Sequence, residues 1–257
     1  MIHEKKTLKK SYRVLLGAGF LIVLILLWQL IAVLIGKSYL LPSPVQVVQS
    51  IASNWQELWS RHIPATLSVM GAGLGISLIL GVLLAVLMDL HEGLEKALYP
   101  LLAFTQTIPV LCLAPVLVLW FGYSFGMRVV VVVLVTFFPI TINMFDGFRS
   151  VRVERSELLD TYGAGVIQQY GLLRFPTALP HLFHGLHVAV PWAGAGAVIS
   201  EWLGAPAGIG VFSKSAMMSM DAAGLLAPLV LLSIIVLIVN MLLNLLEHRF
   251  ANYHTGD

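Results

Sequence analysis

Three histidines, His181, His184 and His187, recur at every third position near the start of an apolar stretch. Residues three apart share a slowly drifting face of a helix, and imidazole is a common zinc ligand. This spacing allows a metal site and, with it, a metal-dependent enzyme in a membrane. No glutamate stands nearby in the same stretch to complete a hydrolytic set, so we favour interfacial histidines and keep the metalloenzyme as an alternative.

Three alternating glycines, Gly71, Gly73 and Gly75, superficially resemble a nucleotide-binding fingerprint. Such a fingerprint follows a strand, and the apolar sequence around these glycines does not predict one. They are therefore expected to allow close packing of helices. The phosphate-binding pattern Gly-x-x-x-x-Gly-Lys-Ser/Thr does not occur in the sequence. We therefore expect no ATP hydrolysis by this chain alone, and no cofactor bound within it.

The composition of the chain is typical of a membrane protein. Hydrophobic residues make up 58% of its 257 residues and charged residues 11%, against about 25% charged in soluble proteins. The mean hydropathy is +0.90. A soluble domain of this length would be unable to bury so much apolar surface. The single cysteine, Cys112, lies in an apolar run, so no intrachain disulfide is possible.

Six stretches are apolar over the length of about 20 residues that a helix needs to cross a bilayer. They cover roughly 14–36, 64–88, 98–121, 128–146, 181–203 and 224–246. The first follows a basic segment, 1–13, but it exceeds the core of a signal peptide and ends without a cleavage site, so we expect it to be retained. Residues 14–257 are predicted to form one membrane domain.

The placement of lysine and arginine predicts the orientation of these stretches. With residues 1–13 in the cytoplasm, the inner segments carry eleven Lys and Arg residues and the outer segments carry four. This asymmetry follows the positive-inside rule and makes both termini and the charged loop 149–180 cytoplasmic. The outer segment 40–62 has helical spacing, and the outer segment 204–223 is expected to be flexible.

Polar and aromatic groups at membrane depth are candidates for a solute pathway, because they are costly there unless they function. Pro109 and Pro115 predict a kinked or broken third stretch near the centre of the bundle, where freed backbone groups can line a cavity. The candidate pathway residues are Phe104, Gln106, Thr107, Asn143, Trp192 and Glu201. Aromatic side chains among them can stack on a flat solute, and Glu201 can line or gate the path. Packing roles remain open for the two aromatic residues and for Glu201.

The longest charged segment lies between the fourth and fifth stretches, at residues 149–180. Within it, Leu158, Tyr162 and Val166 recur every four residues and predict an amphipathic helix with an apolar ridge. An apolar ridge that faces the cytoplasm normally requires a partner to cover it. A connector that lies on the membrane surface is the alternative interpretation.

Three further residues of this loop have specific local roles by prediction. Glu157 and Asp160 are expected near the start of the helix, where carboxylates stabilise the positive end of the helix dipole. Gly163 costs helix stability, so it indicates a sharp bend or the close approach of another backbone.

The loop resembles the Glu-Ala-Ala-Gly loop of ATP-binding-cassette importer permeases. The glycine follows the glutamate by six positions, and a proline follows the glycine by thirteen. The residues that match this pattern are Glu157, Gly163, Ala164 and Pro176. Leu158 and Leu159 stand where the family has two alanines, so the fit to the partner differs here.

The resemblance extends over nearly the whole chain. LPSPVQVVQSI after the first stretch, TQTIPVLCLAPVLVLWFGYS from Thr105 and ISEWLGAPAGIG from Ile199 are similar to segments of the same family. Together they resemble the branch that imports nitrate, sulfonates, taurine and thiamine or riboflavin precursors. The TQTIP, FFPITIN and DGFRS segments most resemble permeases for the pyrimidine precursor of thiamine.

This resemblance implies an all-α, polytopic permease with six transmembrane helices, of the type I importer class, in a bacterial cytoplasmic membrane. It implies a homodimer, two separate ATPase subunits that bind ATP and magnesium, and an extracytoplasmic binding protein that delivers the solute. Membrane lipid is the remaining expected partner, and no nucleic acid is expected. Coupling to the ATPase is assigned by the resemblance to Glu157, Leu158, Leu159, Asp160, Gly163, Ala164 and Pro176.

The chain is therefore predicted to be a transport subunit and not an enzyme. A thiamine pyrimidine precursor is the predicted solute, with riboflavin-type, sulfonate, taurine or nitrate cargo as alternatives. A secondary transporter or channel is the alternative from another class. An inverted repeat or a chain of ionisable residues across the spans would favour this alternative, and the sequence shows neither.

Overall fold

The computed structural model describes residues 2–250, with side chains described for 16, 17, 19–113 and 115–250. Regular structure in this range is helical, because long charge-free runs must satisfy their backbone groups internally. The helices are α1 (Ile2–Ile35), α2 (Pro44–Ser53), α3 (Trp55–Glu57), α4 (Ile63–Leu90), α5 (Glu92–Thr105), α6 (Val110–Phe121), α7 (Phe125–Arg149), α8 (Val153–Thr161), α9 (Val166–Gln169), α10 (Phe175–Trp202), α11 (Ile209–Met218) and α12 (Ala222–Phe250). Two π-helical turns, Leu58–His62 and Tyr170–Arg174, lead into α4 and α10.

Four helical segments of the described chain are long and apolar enough to cross a membrane. They are Trp55–Leu90, Phe125–Arg149, Val166–Trp202 and Ala222–Phe250, and they contain the second, fourth, fifth and sixth predicted stretches. α1 runs from Ile2 to Ile35, and Gly19–Ile35 is the apolar part of it whose side chains are described without a gap. The third predicted stretch forms α5 and α6. The all-helical fold class is therefore confirmed, while the number of six membrane helices stays a prediction.

Contacts divide the chain into two compact units. The first contains the residues up to Leu58 together with Phe212–Val230. In this unit the indole of Trp28 donates a hydrogen bond to the carbonyl oxygen of Pro42, at 3.0 Å. At the start of α2, the side chain of Ser43 accepts the backbone N–H of Gln46, and the Gln46 side chain accepts the N–H of Ser43. This capping box satisfies helix donors that would otherwise lack partners.

Three long helices, α4, α7 and α10, form the core of the second unit, which contains Trp59–Val211 and the residues from Leu231. Gly73 and Gly81 of α4 face Val132 and Ile140 of α7. Because the residue numbers of both helices increase from the first contact to the second, α4 and α7 run in the same direction.

α10 runs in the opposite direction along α7. Gly147 near the end of α7 faces Ala178 near the start of α10, and Gly196 near the end of α10 faces Val132. The start of α4 therefore lies at the end of the core where α10 finishes, and the end of α4 lies where α10 begins.

The predicted break in the third stretch is present. α5 ends at Thr105, α6 begins at Val110, and Pro109 between them has an extended backbone. Its predicted place near the centre of the bundle stays a prediction. α6 packs against α7 through Leu117, while Leu119 and Trp120 are 84% and 74% exposed.

The 149–180 loop forms two short helices, and the predicted continuous amphipathic helix is wrong. α8 ends at Thr161 and α9 begins at Val166, because Gly163 between them takes a φ of +75°. Leu158, Tyr162 and Val166 are all exposed, but they do not form one helical ridge.

The predicted position of two acidic residues in this loop is also wrong. α8 begins four residues before Glu157, so Glu154 occupies its first turn and Glu157 and Asp160 lie in its second half.

The two outer segments differ in how well they were predicted. Helical spacing in segment 40–62 is confirmed, since α2, α3 and the π-helical turn fill most of it. Segment 204–223, which was expected to be flexible, contains the ten-residue helix α11.

We expect that replacing Gly185 with alanine destabilises the core. A Cβ atom at this position would lie 2.9 Å from the carbonyl oxygen of Pro139 and 3.2 Å from the Cα of Ile140. The backbone of α7 can move away from this Cβ only if α7 and α10 separate. The Gly185→Ala variant should therefore lose about 1–3 kcal/mol of unfolding free energy. Chemical denaturation of the detergent-solubilised protein measures this loss.

The matched control is Gly75→Ala in α4, where a Cβ atom would lie more than 4 Å from the described residues outside its own stretch of helix. This variant should be neutral or slightly stabilising, because alanine favours a helix more than glycine does. Equal losses in both variants would show that close helix approach at Gly185 is not required.

Candidate functional site

The 149–180 loop presents exposed apolar side chains on both of its helices. Tyr162 is 80% exposed, Ile167 is 88% exposed, and Leu158 and Leu172 are more than half exposed. An apolar surface of this kind is unusual on a segment that also carries many charges, and it indicates a surface that binds another protein.

The bend between α8 and α9 has a defined hydrogen-bond pattern. The N–H of Gly163 donates to the carbonyl oxygen of Asp160 at 2.9 Å, and the N–H of Ala164 donates to that of Leu159 at 3.0 Å. This is a Schellman motif, in which a residue with positive φ follows the helix and N–H groups after the helix donate hydrogen bonds to its last carbonyl oxygens. The bend predicted at Gly163 is confirmed, and in the part of the chain that the structure describes no atom beyond the neighbouring residues lies within 4 Å of a Cβ placed there.

Side chains fix the angle between the two short helices. The amide nitrogen of Gln169 donates to Asp160 at 2.5 Å, and Ser156 donates to the amide oxygen of Gln169 at 3.5 Å. These bonds connect α8 to α9 across the bend. Asp160 therefore braces the loop, a role that its position in the sequence does not reveal.

A buried polar cluster anchors the loop to the core. The carboxylate of Asp89, at the end of α4, accepts hydrogen bonds from the hydroxyl of Tyr170 and the guanidinium of Arg174. The ring of Phe148 meets those of Tyr170 and Phe175 edge-on, at centroid distances of 5.6 Å and 5.4 Å. We call the residues Asp89, Tyr170 and Arg174 the root cluster.

A cavity of about 320 Å³ lies beside the break between α5 and α6. Among its lining residues are Thr105, Gln106, Pro109, Trp192, Gly196 and Ile199. Two of the predicted pathway residues, Gln106 and Trp192, thus meet at one cavity, and Trp192 is 56% exposed. The described residues that line it carry no charge.

The other predicted pathway residues are not among the residues that line this cavity. Phe104 is 61% exposed and Thr107 donates a hydrogen bond to its carbonyl oxygen at 2.8 Å. The amide of Asn143 donates to the carbonyl oxygen of Pro139 within α7, at 2.7 Å.

Glu201 lies in a second buried polar cluster at the opposite end of the core from the root cluster. Its side chain is 1% exposed and accepts the hydroxyl of Thr66 at 2.7 Å and the N–H of Gly210 at 2.6 Å. The same hydroxyl accepts the N–H of Ile209 at 2.8 Å. Of the roles left open for Glu201, packing hydrogen bonds are the ones observed. Gly208 has a φ of +147°, and a Cβ atom there would collide with the Glu201 carboxylate.

The three histidines of α10 do not meet as a set of ligands. His187 lies 2.9 Å from the amide oxygen of Asn240 and 3.3 Å from a carboxylate oxygen of Glu247, both on α12. Among the described residues there is no group of three His, Cys, Asp or Glu side chains arranged to hold a metal ion.

Sequence reasoning missed the root cluster and the partners of Glu201. The sequence pattern identified Arg174 only as a positive charge. It predicted no role for Asp89, Tyr170 or Thr66. One available signal was Asp89 itself, a lone carboxylate at the end of a 28-residue apolar helix. Such a charge requires a partner, and the nearby loop is rich in arginine.

The chain belongs to the family of binding-protein-dependent transport system inner membrane components, whose model matches residues 77–252. It is thus a permease component of an ABC transporter. The matched region includes the 149–180 loop, the root cluster and the cavity.

Individual relatives cover most of the chain. The formylaminopyrimidine transport permease protein ThiX of Halalkalibacterium halodurans is 45% identical over 228 residues, which are 89% of this chain and 91% of that protein. The riboflavin transport system permease protein RibX of Chloroflexus aurantiacus is 35% identical over 241 residues, 92% and 89% of the two chains. A probable ABC transporter permease protein of Haemophilus influenzae is 34% identical over 229 residues, 89% and 93% of the two chains.

Further relatives are named as permeases for aliphatic sulfonates, taurine and nitrate. The predicted family and branch are therefore confirmed.

Replacing Glu201 with glutamine should preserve stability and transport, whereas leucine should not. A glutamine oxygen can accept the N–H of Gly210 while its amide donates to Thr66, whose hydroxyl already lies 3.2 Å from the His62 carbonyl oxygen. Leucine leaves buried donors without an acceptor, at a cost of about 1–3 kcal/mol for each. Thermal unfolding in detergent, together with solute uptake, distinguishes the two variants.

The exposed Glu92, which pairs with Lys96 on the surface of α5, supplies the control. Glu92→Leu should change stability little, because exposed ion pairs contribute little. Loss of transport in a stable Glu201→Gln variant would instead show that the carboxylate charge itself is needed along the pathway.

Proposed function

We propose that this chain is the membrane permease subunit of an ATP-driven importer and that it moves a small solute inward. The observation that carries the proposal is the ordered apolar surface of the 149–180 loop, on a chain that belongs to the ABC permease family. A surface of this kind supports docking of a separate ATPase, because the chain has no phosphate-binding pattern of its own.

The proposed arrangement in the membrane follows from charge placement and from the family. Six membrane helices, with segment 1–13, the loop and both termini in the cytoplasm, satisfy the positive-inside rule. In this arrangement α5 and α6 together form the third span. Two copies of the chain would work with two ATPase subunits, which bind ATP and magnesium, and with an extracytoplasmic binding protein.

The loop residues have distinct proposed roles in coupling. Leu158 and Leu159 offer apolar contact to the ATPase, with Glu157 beside them on α8. Gly163 and Ala164 form the bend that orients the two short helices. Asp160 supports that bend through Gln169. Pro176 lies in the first turn of α10, so that movement of the docked loop would reach a membrane helix.

The cavity beside the broken third span is the proposed part of the solute pathway. Gln106 offers an amide for hydrogen bonding and Trp192 offers an indole face for stacking. Phe104 precedes the same break and Thr107 lies within it, so both would extend the path. Asn143 and Glu201, whose side chains bond internally, would support its walls.

The proposed solute is a pyrimidine precursor of thiamine, such as formylaminopyrimidine. The uncharged lining of the cavity supports a neutral, flat solute, since a nitrate or sulfonate anion would be desolvated there without a cationic partner. Similarity to the formylaminopyrimidine permease points in the same direction. Riboflavin-type cargo is the second candidate, because it is also flat and aromatic and a riboflavin permease is among the relatives.

Cells that lack this chain should lose uptake of labelled formylaminopyrimidine, and the chain together with its cognate ATPase and binding protein should restore it. ATP depletion should stop uptake, whereas collapse of the ion gradient should not. Uptake that survives ATP depletion and stops with the gradient would indicate a secondary transporter.

Two tryptophans test whether the cavity contributes to this uptake. Trp192→Leu should reduce it about five- to tenfold through the loss of one aromatic contact. Trp120→Leu is the matched control, because this indole is also exposed and does not line the cavity. Equal effects of both substitutions would contradict the proposed path.

Replacing Gly163 with valine should separate the permease from its ATPase while the chain still inserts into the membrane. A β-branched residue is strained at a φ of +75°, by roughly 1–2 kcal/mol. Co-purification of the ATPase and solute uptake should both fall.

Gly163→Asn is the matched control, because asparagine adopts positive φ more readily. It should retain most of the coupling. Normal uptake by the valine variant would refute a docking role for the bend, and equal losses in both variants would indicate that the ATPase approaches the glycine too closely for any side chain.

A further inference from the structure

We infer that Asp89 is the positioning residue through which the ATPase-docking loop moves α4. Tyr170 and Arg174 are the loop side chains that bind the Asp89 carboxylate. This inference rests on the proposed function of the loop. It assigns to the root cluster the transmission of movement into the core.

The geometry of the root cluster makes it a firm attachment. The Asp89 side chain is 8% exposed, and Tyr170 and Arg174 bind it from the two ends of one π-helical turn. The guanidinium of Arg174 also lies over the Tyr170 ring, 5.4 Å from its centroid. If the turn moved without α4, a buried carboxylate would lose its donors, which is far more costly than breaking an exposed contact.

A second ion pair near the loop provides no comparable attachment. Arg149, at the end of α7, bonds Glu95 of α5 at 2.7 Å, but the arginine side chain is 61% exposed. Exposed pairs of this kind are weak. Of these two ion pairs, the less exposed one, to Asp89, is therefore the stronger connection from the loop region to another helix of the core.

α4 is suited to carry movement over its whole length. It has 28 residues, or about 42 Å at 1.5 Å per residue, and its one proline, Pro64, lies in the first turn. In contrast, α7 contains Pro139 and α10 contains Pro180 and Pro191 in their interiors, where proline removes a helix hydrogen bond.

The far end of α4 is tied to a different loop. Thr66 accepts the N–H of Ile209, and His62 lies 2.7 Å from the carbonyl oxygen of Gly208. A shift of Asp89 along the axis of α4 would therefore reach the 208–210 segment at the opposite end of the core. Both ends of one uninterrupted helix are thus held by buried polar contacts.

The test is transport by the complete complex in proteoliposomes, with the ATPase, the binding protein and labelled formylaminopyrimidine. Asp89→Asn should reduce solute moved per ATP hydrolysed by about tenfold, since it weakens bonds to a charged group. The ATPase should still co-purify with the variant, because the docking surface is unchanged. Asp89→Glu, and the exchange Asp89→Arg with Arg174→Asp, should each restore part of the ratio.

Tyr170→Phe keeps the ring and the ion pair and removes one hydrogen bond, so this variant tests the inference even if Asp89→Asn fails to accumulate. It should lower the same ratio roughly fivefold. Glu92→Gln is the control, because it breaks an exposed pair within α5 and should leave the ratio unchanged.

The outcomes separate the inference from the proposed function. An unaltered ratio in Asp89→Asn or Tyr170→Phe, in a complex that transports normally before substitution, overturns the inference alone. If the unaltered complex shows no ATP-dependent uptake of formylaminopyrimidine, riboflavin, taurine, sulfonate or nitrate, both the proposed function and the inference are overturned. Loss of ATPase co-purification in Asp89→Asn also overturns the inference, because the residue would then act in docking.

Discussion

The close approach of α4, α7 and α10 is the constraint on which the rest of the core depends. In a bilayer the hydrophobic effect does not drive helices together, so packing at small residues must do so. Gly73 and Gly81 permit contact between α4 and α7, and Gly147, Gly185 and Gly196 permit contact between α7 and α10. These contacts fix the direction and register of all three helices. The two buried polar clusters form only because this register brings the ends of α4 beside the ends of α10.

The polar groups of the Glu201 cluster and the root cluster are buried, whereas those of the 149–180 loop lie beside exposed apolar side chains. Glu201 and Asp89 are buried and satisfied by several donors, so their partners cannot move apart without leaving a carboxylate unbonded. The bend at Gly163 is held by backbone hydrogen bonds and leaves its apolar side chains uncovered. The chain thus combines rigid internal connections with an apolar surface that another protein can cover. This combination suits a subunit that receives force and does not generate it.

The sequence predicted features that depend on local chemistry and missed those that depend on register. Apolar length gave the helical class, and the proline pair predicted the break before α6, because these effects act within a few residues. Gly163 predicted a bend but not that the helix would end there. The predicted helical ridge through Leu158, Tyr162 and Val166 was therefore wrong. The partners of Asp89 lie 81 and 85 positions away, and no periodicity in one sequence reports such pairs. Glu201 was recognised as unusual, yet its packing role became visible only with Thr66 and Gly210 in place.

Members of the family are named for very different solutes, and the uncharged cavity of this chain suits only some of them. A pathway must bind its solute well enough to admit it and weakly enough to release it. Among mostly apolar residues, the cavity is lined by the amide of Gln106, the indole of Trp192 and Thr105, and none of these supplies a fixed charge that would hold an ion. Such a lining can favour flat, neutral solutes without recognising one of them in detail. On the proposed function, fine discrimination would belong to a binding protein that presents the solute, while this chain would supply the passage and its connection to the 149–180 loop.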